Sequence, residues 1–251
     1  MRILILSDSH ANLEGLEACL AVAPSSDRTV NLGDVVGYGA SPNEVTERSR
    51  KLGQIFVRGN HDKACTGVTS VDGFNPAAAM AAMWTMKSLT PENLDFLKQL
   101  PQGPVTMPEV PDVQLVHGSP LDEDEYLIVQ RDAIKPLERA QARITFFGHT
   151  HIQGGFAVQN EQWATLRPVY ASKDQQENCV LQLQDGAKYL INPGSTGQPR
   201  DGDPRAAFCV YDTDAHAVTF YRVPYNIKGA QDRILAAKLP ERLAFRLAEG
   251  R

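Results

Sequence analysis

Five short motifs, Asp8-Ser9-His10, Gly33-Asp34-Val35-Val36-Gly37, Gly59-Asn60-His61-Asp62, His117-Gly118 and Gly148-His149-Thr150-His151, hold five of the chain's six histidines together with carboxylates and an amide. Imidazole, carboxylate and carbonyl donors without thiolates suit Mn, Fe, Zn or Ni rather than a structural zinc. Eight candidate ligands, Asp8, His10, Asp34, Asn60, His61, His117, His149 and His151, are too many for one ion, so two adjacent metals are inferred. Any one of these motifs occurs in ordinary turns; all of them in one chain constrain the fold, because it must gather them at one place.

The hydrophobic pattern around them agrees. Ile3-Leu4-Ile5-Leu6 is a short branched apolar run bounded by polar residues, so residues 2–7 read as a strand buried on both faces. Leu13, Leu16 and Leu20 recur at helical spacing after Asn12. Thr29 to Leu32 and Gln54 to Val57 suggest two more strands, separated by a helix from about Asn43 to Lys51. In such a βαβαβ opening, ligands bind beyond the carboxyl ends of the strands, where Asp8, Asp34 and Asn60 fall. From Asn75 to about Leu100 an Ala- and Met-rich helical segment is expected to border the site, with Thr90-Pro91-Glu92 reading as an N-cap and a Pro at the first helical position. Met80, Met83, Met86 and Trp84 read as helix core, with a leaving-group pocket as the alternative. Val113 to Val116, Ile144 to Phe147, Cys179 to Leu183, Lys188 to Ile191 and Ala207 to Tyr211 read as short strands and point to a second sheet.

At 251 residues, without a low-complexity linker or internal repeat, the chain reads as one domain, 1–251. A net charge of -5 argues against an extended nucleic-acid surface. Cys19, Cys65, Cys179 and Cys209 form no CxxC pair, which suits reduced thiols; Cys65 reads as a buried small hydrophobe rather than a reactive thiol. The N-terminal apolar run is too short for a signal or membrane segment, so a cytoplasmic protein with no membrane partner is expected. The oligomeric state stays open.

In order and content the five motifs resemble those of the calcineurin-like metallophosphoesterase superfamily, in particular its small prokaryotic branch, and the resemblance runs over nearly the whole chain. It implies an α/β fold, a four-layer α/β/β/α sandwich with two central mixed β-sheets, metals at one edge and a closing pair of helices from Ile227 to Leu247. It further implies that Asp8, His10, Asp34 and His151 hold one metal and Asp34, Asn60, His117 and His149 the other, with Asp34 bridging. One carboxylate can span two cations about 3.5–4 Å apart, and such a pair polarises one phosphate and one bridging hydroxide. Two divalent cations are the implied cofactors, with Mn expected and Fe, Zn or Ni as alternatives. His61, left over once the metals are filled, is implied to assist the leaving oxygen, with Asp62 orienting or charging it. The implied activity is hydrolysis of a phosphate ester by the bridging hydroxide, on a phosphorylated small molecule or nucleotide.

One departure narrows the substrate. In the family's protein serine/threonine phosphatases the segment matching Gly33 to Gly39 continues with an acidic residue and an arginine, where this chain has Gly37 and Tyr38. That disfavours a phosphoprotein phosphatase and favours a phosphodiester, with phosphomonoesterase and dinucleoside polyphosphate hydrolase as alternatives. A non-catalytic metal-binding scaffold should show gaps in the ligand set, and there are none. The polar, Gly-rich stretch Asn192 to Arg205 looks like the corresponding loop of the prokaryotic branch. In it Arg200 is the candidate phosphate contact, since its planar fork matches two phosphate oxygens; Tyr38 is a second candidate substrate contact. The alternative has Arg200 and Arg205 simply pairing with Asp201 and Asp203 in an exposed loop. His216 reads as a solvated turn residue.

Overall fold

The computed structural model describes residues 1–53 and 55–251. Strand β1, Arg2–Leu6, places Ile3 and Ile5 on one face and Leu4 and Leu6 on the other, all buried, as the two-residue period of a covered strand requires. Helix α1, Leu13–Val22, begins where the Asn12 side chain accepts the Gly15 N–H. Strand β2, Arg28–Asn31, helix α2, Pro42–Lys51, and strand β3, Ile55–Phe56, complete the βαβαβ opening, with β1, β2 and β3 parallel. The third strand was expected from Gln54, which lies outside the described residues.

Helix α3, Asn60–Cys65, follows, and the expected helical stretch is two helices, α4, Pro76–Ser88, and α5, Pro91–Lys98. Pro91 disfavours the helical conformation at Thr90, which is extended and caps α5 through its side chain. On α4 the core face belongs to Ala77, Ala78, Ala81 and Ala82. Met80, Met83 and Met86 turn outward and Trp84 is half-buried, so this cluster is not the helix core. The helical period explains the correction, since it sets the methionines opposite the alanine stripe.

The rest of the chain adds β4 Val105–Met107, β5 Val110–Leu115, α6 Gln130–Arg139, β6 Ile144–Phe146, β7 Gly154–Gln159, β8 Gln162–Leu166, β9 Glu177–Gln182, β10 Lys188–Asn192, β11 Ala206–Asp212, β12 Ala217–Val223, α7 Ile227–Ala236, α8 Glu241–Phe245 and a 3₁₀ turn, Arg246–Glu249. Two mixed six-stranded sheets result, in the orders β3-β2-β1-β11-β12-β9 and β4-β5-β6-β10-β7-β8. The segments 179–183 and 207–211 belong to the first sheet, not the second: β11 pairs antiparallel with β1, setting Cys209 against Ile5, and β9 joins through β12. Ile3, Ile5, Val30 and Leu32 meet Val113, Leu115, Ile144, Phe146 and Ile191 between the sheets. Helices α1 to α5 cover the outer face of the first sheet, while α6 covers the second through Ala133 and Leu137. Helices α7 and α8 close against Tyr38 and the alanine face of α4. No helix among the described residues is long and apolar enough to cross a membrane.

Candidate metal centre

Each sheet contains three parallel strands, β1, β2 and β3 in one and β5, β6 and β10 in the other. Asp8 and His10 follow β1, Asp34 follows β2, Asn60 follows β3, His117 follows β5, and His149 and His151 follow β6. The carboxyl ends of parallel strands from both sheets therefore meet at one edge. Donor atoms of Asp8, His10, Asp34 and His151 lie within 4.8 Å of one another, as do those of Asp34, His117 and His149, and every one of these residues is buried. Asp34 belongs to both groups: its Oδ2 stands 3.5 Å from His10 Nε2 and 3.5 Å from His117 Nε2. Asp8 Oδ1 lies 3.3 Å from His151 Nε2, and Asn60 Oδ1 lies 3.3 Å from His117 Nε2.

The far nitrogen of each ring decides what the near one can do. The Nδ1–H groups of His10, His117 and His151 donate to the carbonyls of Val36, Leu32 and Gln198, at 3.1, 2.7 and 2.6 Å. His149 is reversed, its Nε2–H donating to the Asp124 carbonyl at 3.1 Å. These bonds hold the outward nitrogen of each ring as the donor and turn the other nitrogen inward, where it can take a proton or a cation. His10 Nε2 and His151 Nε2 face each other at 3.0 Å, an approach of lone pairs that a shared cation resolves. Burial holds His10 and His151 below the ordinary imidazole value and pushes His149 down to about 3, so these rings are neutral. Burial works the same way on His117, but the facing carboxylates of Asp34 and Asp8 outweigh it and raise its pKa to about 10. What draws a proton there draws a cation equally, and this thiolate-free donor set fits divalent ions.

The local backbone is bent to this purpose. Asp8, His10, Asp34, His149 and His151 all have φ between 45° and 65°, the left-handed region uncommon outside glycine. Loop hydrogen bonds hold them there, among them Asp8 N–H to Gly33 O and His10 N–H to Asp34 O. Gly59 admits no side chain, since a Cβ would overlap Asp34 Oδ1. Asp62 was expected to orient His61, but its oxygens accept the backbone N–H groups of Asp34, Val36 and Gly59. Its buried carboxyl group thus fixes the Asp34 turn through three backbone amides and makes no bond to the His61 ring, whose Nδ1 is without a partner.

His61 has its ring edge-on to His10 at 4.9 Å, with Tyr38 at 4.2 Å and Phe74 at 4.6 Å. Burial pushes its pKa down to about 4. Its Nδ1 is buried without a partner, and a Cβ on Gly37 would stand 2.5 Å from that atom. No carboxylate occupies position 37 to pair with it. Tyr38 is buried between His10 and His61, and the Arg200 guanidinium lies over its ring at 5.6 Å. Arg200 does not pair with Asp201; its Nε and Nη2 donate to Gln198 Oε1. Arg205 does bond to Asp203, and to Glu177, but in the interior rather than in an exposed loop, while Asp201 pairs with Arg222. Cys65 is wholly buried and His216 is exposed in its turn.

A cleft of about 410 Å³ opens onto the centre, lined by Tyr38, Asn60, His61, Phe74, Tyr126 and His149. Several of its groups escape sequence reasoning. Tyr126 stacks on His149 at 3.8 Å. Lys63, 4% exposed, donates to both Asp124 oxygens at 2.7 Å and to Glu123 at 3.0 Å, tying α3 to the segment whose carbonyl holds His149. The run Asp122 to Glu125 resembles a solvated acidic face, and only the lysine next to a metal motif hints otherwise. A larger hollow of about 670 Å³ along β7 and β8 contains none of the candidate ligands.

A sequence profile of the calcineurin-like phosphoesterase superfamily domain matches residues 1–216. A metallophosphoesterase from Sphaerobacter thermophilus is 42% identical, with a TM-score of 0.85 over all of this chain and 99% of that one. An uncharacterised protein of Methanocaldococcus jannaschii is 37% identical over 99% of this chain and 98% of its own length. A hypothetical protein from Pyrococcus horikoshii OT3, 18% identical, shares the fold at a TM-score of 0.77 over all of this chain and 98% of that one. With most of the chain matched by the profile and close relatives aligned along nearly all of it, the chain belongs to the calcineurin-like phosphoesterase superfamily.

Proposed function

We propose that this protein is a phosphodiesterase, hydrolysing a small-molecule or nucleotide phosphodiester with two divalent cations, Mn foremost, held by Asp8, His10, Asp34 and His151 and by Asp34, Asn60, His117 and His149. The observation that carries it is the set of histidine ring nitrogens turned inward on the carboxylates of Asp34 and Asp8. When bound, the cations supply charge that polarises the phosphoryl oxygens and acidifies the attacking water. Asp34 holds the two binding groups in register. His61, neutral beside the cleft, donates a hydrogen bond toward the leaving oxygen. Phe74 and Tyr126 offer faces to an apolar or aromatic substituent.

Diesters are favoured because Gly37 and Tyr38 stand where a phosphoprotein phosphatase carries an acidic residue and an arginine, and a diester, with fewer free oxygens and one less charge than a monoester dianion, loses less by their absence. The test compares kcat/KM for a diester, a phosphomonoester and a phosphopeptide on one Mn-reconstituted preparation. The diester should lead by tenfold or more; a phosphopeptide leading by that margin overturns the assignment.

A further inference from the structure

Arg246 stands on the 3₁₀ turn at the C-terminal end, beyond the residues matched by the superfamily profile. Its guanidinium lies over the Tyr38 ring at 4.6 Å, and that of Arg200 reaches the same ring at 5.6 Å. Two like charges thus converge on a ring whose other neighbours are His61 and His10. Among the described residues no carboxylate pairs with either of them, whereas the interior arginines Arg205 and Arg222 are paired with Asp203, Glu177 and Asp201. The Nε and Nη2 of Arg246 are buried and bond to nothing, and the Nε and Nη2 of Arg200 share one amide oxygen of Gln198. Tyr38 stacks on the Arg246 guanidinium and takes one hydrogen bond from it, but leaves the buried Nε and Nη2 without an acceptor. Burial, with the charge of Arg200 beside it, lowers the pKa of Arg246 to about 10, so it remains a cation at neutral pH. Buried donors without acceptors, and a cation desolvated beside another cation, are both unfavourable until an anion arrives.

We propose that Arg246 and Arg200 form a subsite for a second phosphoryl group, adjacent to the one held at the metal centre, so that the substrate is a pyrophosphate-linked ester rather than an isolated diester. This rests on the phosphoesterase reading for the first phosphoryl group. The planar fork of each guanidinium matches two oxygens of the second.

The probes are inorganic pyrophosphate and inorganic phosphate, titrated by calorimetry into the Mn-loaded protein and its Arg246→Gln and Arg246→Lys variants. The native protein should bind pyrophosphate at least tenfold more tightly than phosphate. Arg246→Gln should cut that preference at least tenfold, and Arg246→Lys should restore part of it. A preference that is absent from the native protein, or that survives Arg246→Gln, overturns the subsite. Should the loss of stacking on Tyr38 prevent Arg246→Gln from folding, Arg200→Gln provides the same comparison under the same criteria. The readout is binding, so a protein that loses pyrophosphate with Arg246 yet hydrolyses no ester would keep the subsite and refute the phosphodiesterase.

Discussion

The neutral ring of His61 stands outside both groups of candidate metal ligands: its backbone N–H donates to Asp34 Oδ1 at 2.8 Å, while its side chain meets Tyr38, Phe74 and His10. His61→Ala should therefore leave metal content intact and lower turnover by roughly 10²–10⁴-fold, the range of a general acid or base. Metal analysis beside single-turnover kinetics checks it; release of one ion at unchanged stability would make His61 a ligand instead. The candidate ligands in the left-handed region each cost about 1–2 kcal/mol that a relaxed loop would avoid, which is the strain expected where geometry serves a site. The candidate ligands were legible in the sequence because few side chains bind such metals and close-fitting glycines such as Gly59 stand beside them. Tyr126, Phe74 and Arg246 were not, because they act through stacking and burial, which depend on neighbours far away in the chain.

Among the elements, α3 and the segment leading to α6 are joined by Lys63. Its ammonium is nearly buried, so Lys63→Met leaves Asp124 and Glu123 without their shared cation. Asp124 is half exposed, and a loss of about 1–3 kcal/mol is expected, below that of a fully buried pair. Because the Asp124 carbonyl fixes the tautomer of His149, the metal affinity of the group formed by Asp34, His117 and His149 should fall about tenfold, as for other supports of metal ligands. Denaturant unfolding and metal titration of the variant check both parts, and an unchanged titration would detach Lys63 from the centre. The opening βαβαβ was readable since buried strands and capped helices have distinct periods. The assignment of β9 and β11 to the first sheet was not, because pairing partners are set by β1 and β12 and leave no trace in a strand's own pattern.

Across the whole molecule, the centre is a place where two sheets with a shared apolar core are also joined by polar groups: Asp8 and Asp34 come from one sheet, His117, His149 and His151 from the other. Ions bound there should stabilise the native state alone. At a free concentration a hundredfold above Kd, one site contributes about 2.7 kcal/mol, or about 5–10 °C in Tm for a chain of this size. Calorimetry with and without a chelator measures the shift, and an equal Tm in both would show that the sheets do not need the ions. The same distribution of ligands bears on speed. His151 meets Asp8 across more than half of the chain, so an early fragment would lack part of the candidate ligand set and should gain little from ions. Ions bound after the sheets have met should leave the folding rate almost untouched and slow escape from the native state, so that the metal supply would control how long each folded molecule lasts.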